Sequence, residues 1–187
     1  MTTQAARPPI TPERFGRMDS EGYELIDGRL VRKPMGAEAS WIQGWIGDVL
    51  RAFVRTHDLG IVFESECGYA CFRGNRVRKP DVSFVLAGRI PGGRPPQGDI
   101  TIPPDLAVEV VSPQEKAYQL DAKVRDFLSV SVPLIWIVYP ESRTVQVRAA
   151  GGVIRELSDT DELTGDPVLP GFRVRVADLF PSPPARS

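Results

Sequence analysis

With 187 residues, 42% of them hydrophobic and 25% charged, the chain has the make-up of an ordinary globular protein with enough residues for a sizeable core. A formal net charge of −1 excludes a global attraction to polyanions, so any nucleic-acid binding would need a local basic patch. Two cysteines and a single histidine exclude a disulfide framework and a Cys- or His-rich zinc site within one chain. No run approaches a membrane span, and the start MTTQAARPPITPERF lacks an apolar stretch of signal length; a cytoplasmic location without a membrane partner is the expectation.

Residues 1–10 hold Pro8 and Pro9 and no periodicity, which predicts a loose arm. Thr11 before Pro12 and Glu13 starts a short helix. Tyr23–Ile26 and Leu30-Val31 flank Asp27-Gly28, a two-residue hairpin signal, and the first of these strands carries Glu24 among apolar neighbours. Residues 37–56 read as a helix. Trp41, Trp45, Val49 and Ala52 or Phe53 recur at three- and four-residue spacing, beside Ile42, Ile46 and Leu50; the tryptophans are expected to pack rather than to stack on bases. Gln43 is a further position on this helix that would face a site. His57, in RTHDLG, fits a helix C-terminus.

A strand follows over Ile61–Glu64, and Gly68–Phe72 is expected to pair with it or with the next strand. Cys67 and Cys71 read as small buried side chains. Arg73–Arg76 is a turn. The run Arg73, Arg76, Arg78, Lys79 is either a phosphate-contacting strip or a solvated hairpin. Asp81 heads the strand Val82–Leu86. Residues 88–104 hold five prolines and four glycines, a long loop expected to border whatever the flanking strands form.

The stretch DLAVEVVSPQEKAYQLDAK, residues 105–123, organises the rest. Leu106, Val108 and Val110 point to one side of a buried strand, and Ala107, Glu109 and Val111 to the other. A lone ionised carboxylate in such a run is very costly, so Glu109 must be paired, protonated, solvated or bound to a metal. Ser112 as N-cap, Pro113 and Glu115 then predict a capping box and a helix over about residues 113–130. Leu134–Tyr139 is a near-continuous apolar strand, Thr144–Val147 and Val153–Leu157 are meander strands about Gly151-Gly152, and LPGFRVRVADLF gives a strand and a turn before the tail at 181–187. A single domain over 11–180 is the expectation.

Glu24, Asp81 and Glu109 each interrupt or head an apolar strand. Two or three carboxylates can hold Mg²⁺ or Mn²⁺ for phosphodiester hydrolysis, and a nearby lysine can orient water or offset developing charge. The elements YELIDGRLV, RKPDVSFV, DLAVEVVSP, the helix with Lys123, PLIWIVYP and LTGDPVLPGF resemble, in order and spacing, the Uma2-type family of endonucleases in the PD-(D/E)xK restriction-endonuclease-like superfamily.

That resemblance covers residues 10–180 and implies an α/β (α+β) restriction-endonuclease-like fold, a mixed central sheet flanked by helices. It implies a Mg²⁺- or Mn²⁺-dependent endonuclease acting on DNA, with Asp81, Glu109 and Glu24 as metal ligands, Glu24 directly or through water. The superfamily's lysine two residues after the second acid is replaced by Val111; Lys123 on the next helix matches the family position, and Lys116 is the alternative. Family members commonly have a histidine where this chain has Ala39 and an aspartate where it has Tyr139. Those two departures motivate a second reading, a nuclease-fold module that binds nucleic acid or a protein without turnover. A homodimer would suit two-ended duplex cutting.

Overall fold

A computed structural model describes residues 8–182. Its centre is a six-stranded sheet in the order β3 (Gly60–Glu64), β4 (Val82–Leu86), β5 (Leu106–Val110), β6 (Leu134–Tyr139), β7 (Thr144–Ala149), β8 (Val153–Leu157). All neighbours are antiparallel except β5 and β6, which run parallel. That parallel pair requires a crossover, which α3 (Ala117–Ser129) supplies. The mixed sheet flanked by helices is the architecture expected from the sequence.

The period-two pattern of the central strands decides which helix covers which face. Leu106, Val108 and Val110 of β5 pack in one cluster with Ile42, Ile46 and Leu50 of α2 (Ala37–Thr56). Ala107, Ile135 and Ile137 pack in a second cluster with Leu120, Val124 and Phe127 of α3. Because both faces are covered, β5 and β6 are buried almost throughout. A small antiparallel pair, β9 (Glu162–Gly165) and β10 (Leu169–Arg175), adds Leu163, Leu169 and Phe172 to the α2-side core.

The hairpin of β1 (Tyr23–Ile26) and β2 (Arg29–Arg32) stands apart from this sheet. Asp27 and Gly28 both take positive φ, as a two-residue turn between twisted strands requires. Leu25 exchanges backbone hydrogen bonds with Val77 and is buried with Phe15 of α1 (Pro12–Phe15). The hairpin is thereby tied to the segment that leads into β4. Within the expected N-terminal arm, the Ile10 N–H donates to the Gly28 carbonyl at 2.9 Å; residues 1–7 and 183–187 lie outside the described residues.

Four local expectations need correction. The helix after β5 starts at Ala117, not at Pro113. The Glu115 N–H goes to the Ser112 carbonyl at 3.0 Å rather than to its hydroxyl, which closes a turn, and the Glu115 carboxylate faces Lys123. Lys116 is the N-cap instead. On α2 the core takes the Ile42, Ile46, Leu50 stripe, leaving Trp41 and Trp45 45% and 43% exposed. The Trp45 indole N–H reaches the Asp178 carbonyl at 2.7 Å, so the ring lies along the helix flank. Residues 68–72 form no strand; Tyr69 alone bridges to Arg78 and Ile100. Finally, the 88–104 loop leaves the far end of the sheet, and only its Ile100 returns to pair with Tyr69, the partner of Arg78. The antiparallel pairing of β4 with β5 puts Asp81 beside Val108–Val110, whereas Asp105 sits beside Phe84 and Leu86 at the loop's end. His57 does cap the C-terminus of α2, its Nδ1 2.9 Å from the Phe53 carbonyl.

Candidate active site

Asp81 and Glu109 are neighbours because β4 begins where the antiparallel β5 ends. Pro80 has no N–H to offer the ladder, so the chain turns there, and Asp81 becomes the first residue whose amide reaches β5, donating to the Val108 carbonyl at 3.0 Å. Its carboxylate turns back to accept the Val110 N–H at 2.6 Å through Oδ2. The other oxygen, Oδ1, meets the Lys33 ammonium at 2.7 Å.

Glu109 faces α3, as the alternation along β5 demands. There the Lys123 ammonium lies 2.7 Å from Glu109 Oε2 and 3.6 Å from Glu115 Oε1. Glu109 Oε1 is buried and has no hydrogen-bond partner among the described residues. Burial pushes the Glu109 carboxyl up to about 8; Lys123 opposes that push and Asp81 adds to it. Burial works against the Lys123 ammonium, but Glu109, Glu24, Asp81 and Glu115 together outweigh it and hold the amine protonated. Glu109 and Glu115 lie against this lysine, and Glu24 of β1 and Asp81 at the head of β4 add to the field that acts on it.

Glu24 is engaged differently. Its Oε2 lies 2.9 Å from Arg78 Nη1, and its Oε1 accepts the Lys79 N–H at 2.9 Å. Burial acts to raise the Glu24 carboxyl, but Lys123, Arg78 and that N–H hold it below the usual range. Arg78 also clamps Asp126 of α3, through Nε at 2.7 Å and Nη2 at 2.6 Å. Lys79 pairs with Glu66 at 2.7 Å. Arg78 and Lys79 are 5% and 3% exposed, Arg78 held by buried carboxylates and Lys79 by the exposed Glu66, so this half of the basic run is neither a phosphate strip nor a solvated hairpin. Arg76 bridges Asp27 and Asp126, and Arg73 stays exposed.

Lys116, the alternative lysine, is exposed, with its ammonium over the Tyr118 ring. The structure brings Lys123, not Lys116, against the acids. Gln43 is buried on α2, across the sheet from α3, and makes no hydrogen bond with these residues among those described. Lys33 and Asp126 were not picked out from the sequence. A signal for Lys33 exists: Arg-Lys-Pro occurs twice, at 32–34 and 78–80, and the first lysine donates to the carbonyl of the second at 2.8 Å. Asp126 lies one helical turn beyond Lys123, on the same face.

The donor set can be tested against a divalent cation. Among the described residues no group of three or more His, Cys, Asp or Glu side chains has the geometry to hold a metal. Both oxygens of Glu24 and both of Asp81 already have partners within the protein. Mg²⁺, however, is usually held by one or two carboxylates and completes its shell with water and substrate phosphate. Asp81 and Glu109 are the two carboxylates that could offer hard oxygen donors to such an ion, Glu109 through its partnerless Oε1. A cavity of about 200 Å³ lies beside the cluster, lined by Glu24, Lys33, Arg78, Glu115 and Lys123 among others, with Asp81 and Glu109 outside its lining.

The comparisons with known proteins agree with this architecture. The model of the Uma2 family, described as "Putative restriction endonuclease", matches residues 12–177. A crystal structure from Anabaena variabilis, described as that of "a putative nuclease belonging to DUF820", superposes with a TM-score of 0.76 at 24% sequence identity. The alignment covers 92% of this chain and 98% of that one, which is evidence of a shared fold. A comparison with curated proteins gives no match.

Proposed function

The chain belongs to the Uma2 family, and from that premise we propose that it is a Mg²⁺- or Mn²⁺-dependent endonuclease hydrolysing phosphodiester bonds in DNA. The observation that carries the proposal is the meeting of Asp81, Glu109 and Lys123 at one sheet edge, with Glu109 Oε1 buried and lacking a partner. Asp81 and Glu109 would hold the divalent ion. Bound there, it would polarise a phosphoryl oxygen and lower the pKa of an attacking water.

The protein's own groups do the remaining work. Lys123, protonated and directed at Glu109, would orient the water and offset charge developing on the phosphate oxygens. Lys33 holds Asp81 Oδ1 from the opposite side and would keep that carboxylate aimed. Glu24 acts through Arg78: the Glu24–Arg78–Asp126 chain ties the hairpin to α3 and positions Lys123 one turn away. Sub-ångström positioning of this kind governs how much a metal site achieves.

The test is cleavage of plasmid and single-stranded DNA with added Mn²⁺ by wild type, Asp81→Ala and Glu109→Ala. Both variants should lose at least about 100-fold in rate, since even outer-shell changes at metal sites cost roughly 10–100-fold. Equal rates in all three proteins would reject the assignment.

A second reading rests on a specific observation: both acids already pair with the protein's own ammonium groups, Lys33 and Lys123. With Ala39 and Tyr139 in place of the family's histidine and aspartate, the domain would then bind nucleic acid or a protein without turnover. Calorimetry separates the two. Failure of both Mg²⁺ and Mn²⁺ to bind at millimolar levels in the presence of DNA favours the module.

A further inference from the structure

The cavity over the cluster has an open wall that the proposed chemistry does not use. Tyr118, in the first turn of α3, is 64% exposed and lines this cavity. One turn on, Ala122 is too small to cover the ring, and the Lys116 ammonium lies 5.9 Å from the ring's centre. Across the cavity stand Ile26, Val31 and Pro34 of the β1–β2 hairpin and the residues after it. An aromatic face opposite an aliphatic wall is a slot for a flat, apolar-faced group.

Charge decides what kind of group enters. Of the lining cations, Lys33, Arg78 and Lys123 are each paired with an internal carboxylate, which leaves Arg32. Arg32 and Lys116 are exposed at this side and form no ion pair among the described residues. A larger cavity, about 610 Å³ between α2 and the ends of β5 and β6, has Glu38 and Glu141 in its lining and no cation. A polyanion is therefore drawn to the Tyr118 side and repelled from the other.

Size decides how much of the polyanion enters. At about 200 Å³ the slot falls below the roughly 300–1,000 Å³ of drug-sized sites, which suits one base and not a stacked pair. Resting on the nuclease reading above, we propose that Tyr118 is a stacking platform for an unpaired base of a single-stranded substrate segment. Arg32 and Lys116 contact the flanking phosphates, and the strand is delivered to Lys123 and the Asp81–Glu109 pair. The substrate class is a strand with unpaired bases, not an intact duplex. Base–aromatic stacking is tolerant of sequence, so little base preference accompanies it.

The experiment uses fluorescein-labelled oligothymidine, a blunt duplex of equal length and the equivalent RNA strand. Binding to the full chain is followed by anisotropy with Ca²⁺ in place of Mn²⁺. Wild type should bind the single strand about tenfold more tightly than the duplex. Tyr118→Ala should lose about tenfold on the single strand and less than about twofold on the duplex, while Tyr118→Trp keeps wild-type affinity. Circular dichroism checks folding, which an exposed side chain should not disturb. Tighter binding of the RNA strand, with the same loss in Tyr118→Ala, supports the stack and identifies RNA as the source of the strand. Equal affinity of Tyr118→Ala and wild type for the single strand, an equal loss on both DNA forms, or a wild-type preference for duplex overturns the proposal. Mn²⁺-dependent cleavage that persists with no effect of Tyr118 defeats this inference alone. Tyr118-dependent binding without any cleavage defeats the nuclease reading alone.

Discussion

Replacing Arg78 with methionine tests whether this side chain is a structural clamp or a phosphate contact. The guanidinium is 5% exposed, and its partners Glu24 and Asp126 are 4% and 6% exposed. Solvent screening therefore gives little relief, and the discount that applies to surface pairs does not apply here. Glu24 would retain the Lys79 N–H and Asp126 would retain Arg76, but each would lose its closest buried cation. Breaking a buried ion pair from one side costs about 3–5 kcal/mol, because the remaining charge stays buried and uncompensated. With a urea m-value of about 2.5 kcal/mol/M, the midpoint should fall by roughly 1–2 M. Adding Asp126→Asn to Arg78→Met should return part of that loss by removing one orphaned carboxylate, and the double-mutant cycle measures how much. A midpoint shift below about 0.3 M for Arg78→Met would refute the clamp.

Two other outcomes are expected. Metal ligands must be deprotonated to bind, and burial sets the Glu109 carboxyl at about 8, so the folded protein must release a proton on binding below that value. Mn²⁺ affinity should rise from about pH 6.5 to about pH 8 and level off above it, and calorimetry in buffers of different ionisation enthalpy should detect the released proton. Equal affinity across that range would remove Glu109 from the ligand set. Gly28→Ala should cost about 1–2 kcal/mol or more, since the turn needs positive φ there and an added methyl group would run into Pro9; a thermal melt unchanged from wild type would contradict the turn geometry.

Much of the site was legible because a carboxylate in a strand violates the period-two apolar pattern. Glu109 and Asp81 could be found that way without knowing what lay beside them. The Asp27-Gly28 hairpin was legible because its φ requirement is met by few residue pairs. The helix start after β5 was misread for a physical reason. Ser112, Pro113 and Glu115 form a sound local cap, but Glu115 is drawn to Lys123, an interaction that only the folded chain provides. On α2 two apolar stripes compete, and nothing local says that Ile42, Ile46 and Leu50 reach the sheet while Trp41 and Trp45 stay at its margin. Lys33 and Asp126 were hidden because a lysine after a strand and an aspartate on a helix are ordinary surface residues until their partners are known.

The chain's local chemistry determined the strands, the hairpin, the crossover helix and the acids that interrupt the apolar runs, since alternation and turn conformations depend on residues a few positions apart. Tertiary structure alone decided which charges meet. Glu24 and Arg78 are 54 residues apart and Lys33 and Lys79 are 46 apart, so strand pairing had to bring them together. The same pairing started the 88–104 loop at the end of the sheet away from Asp81, and the fold took Arg78 and Lys79 out of solvent. A buried charge is stable only beside its partner, and the identity of that partner is a property of the fold.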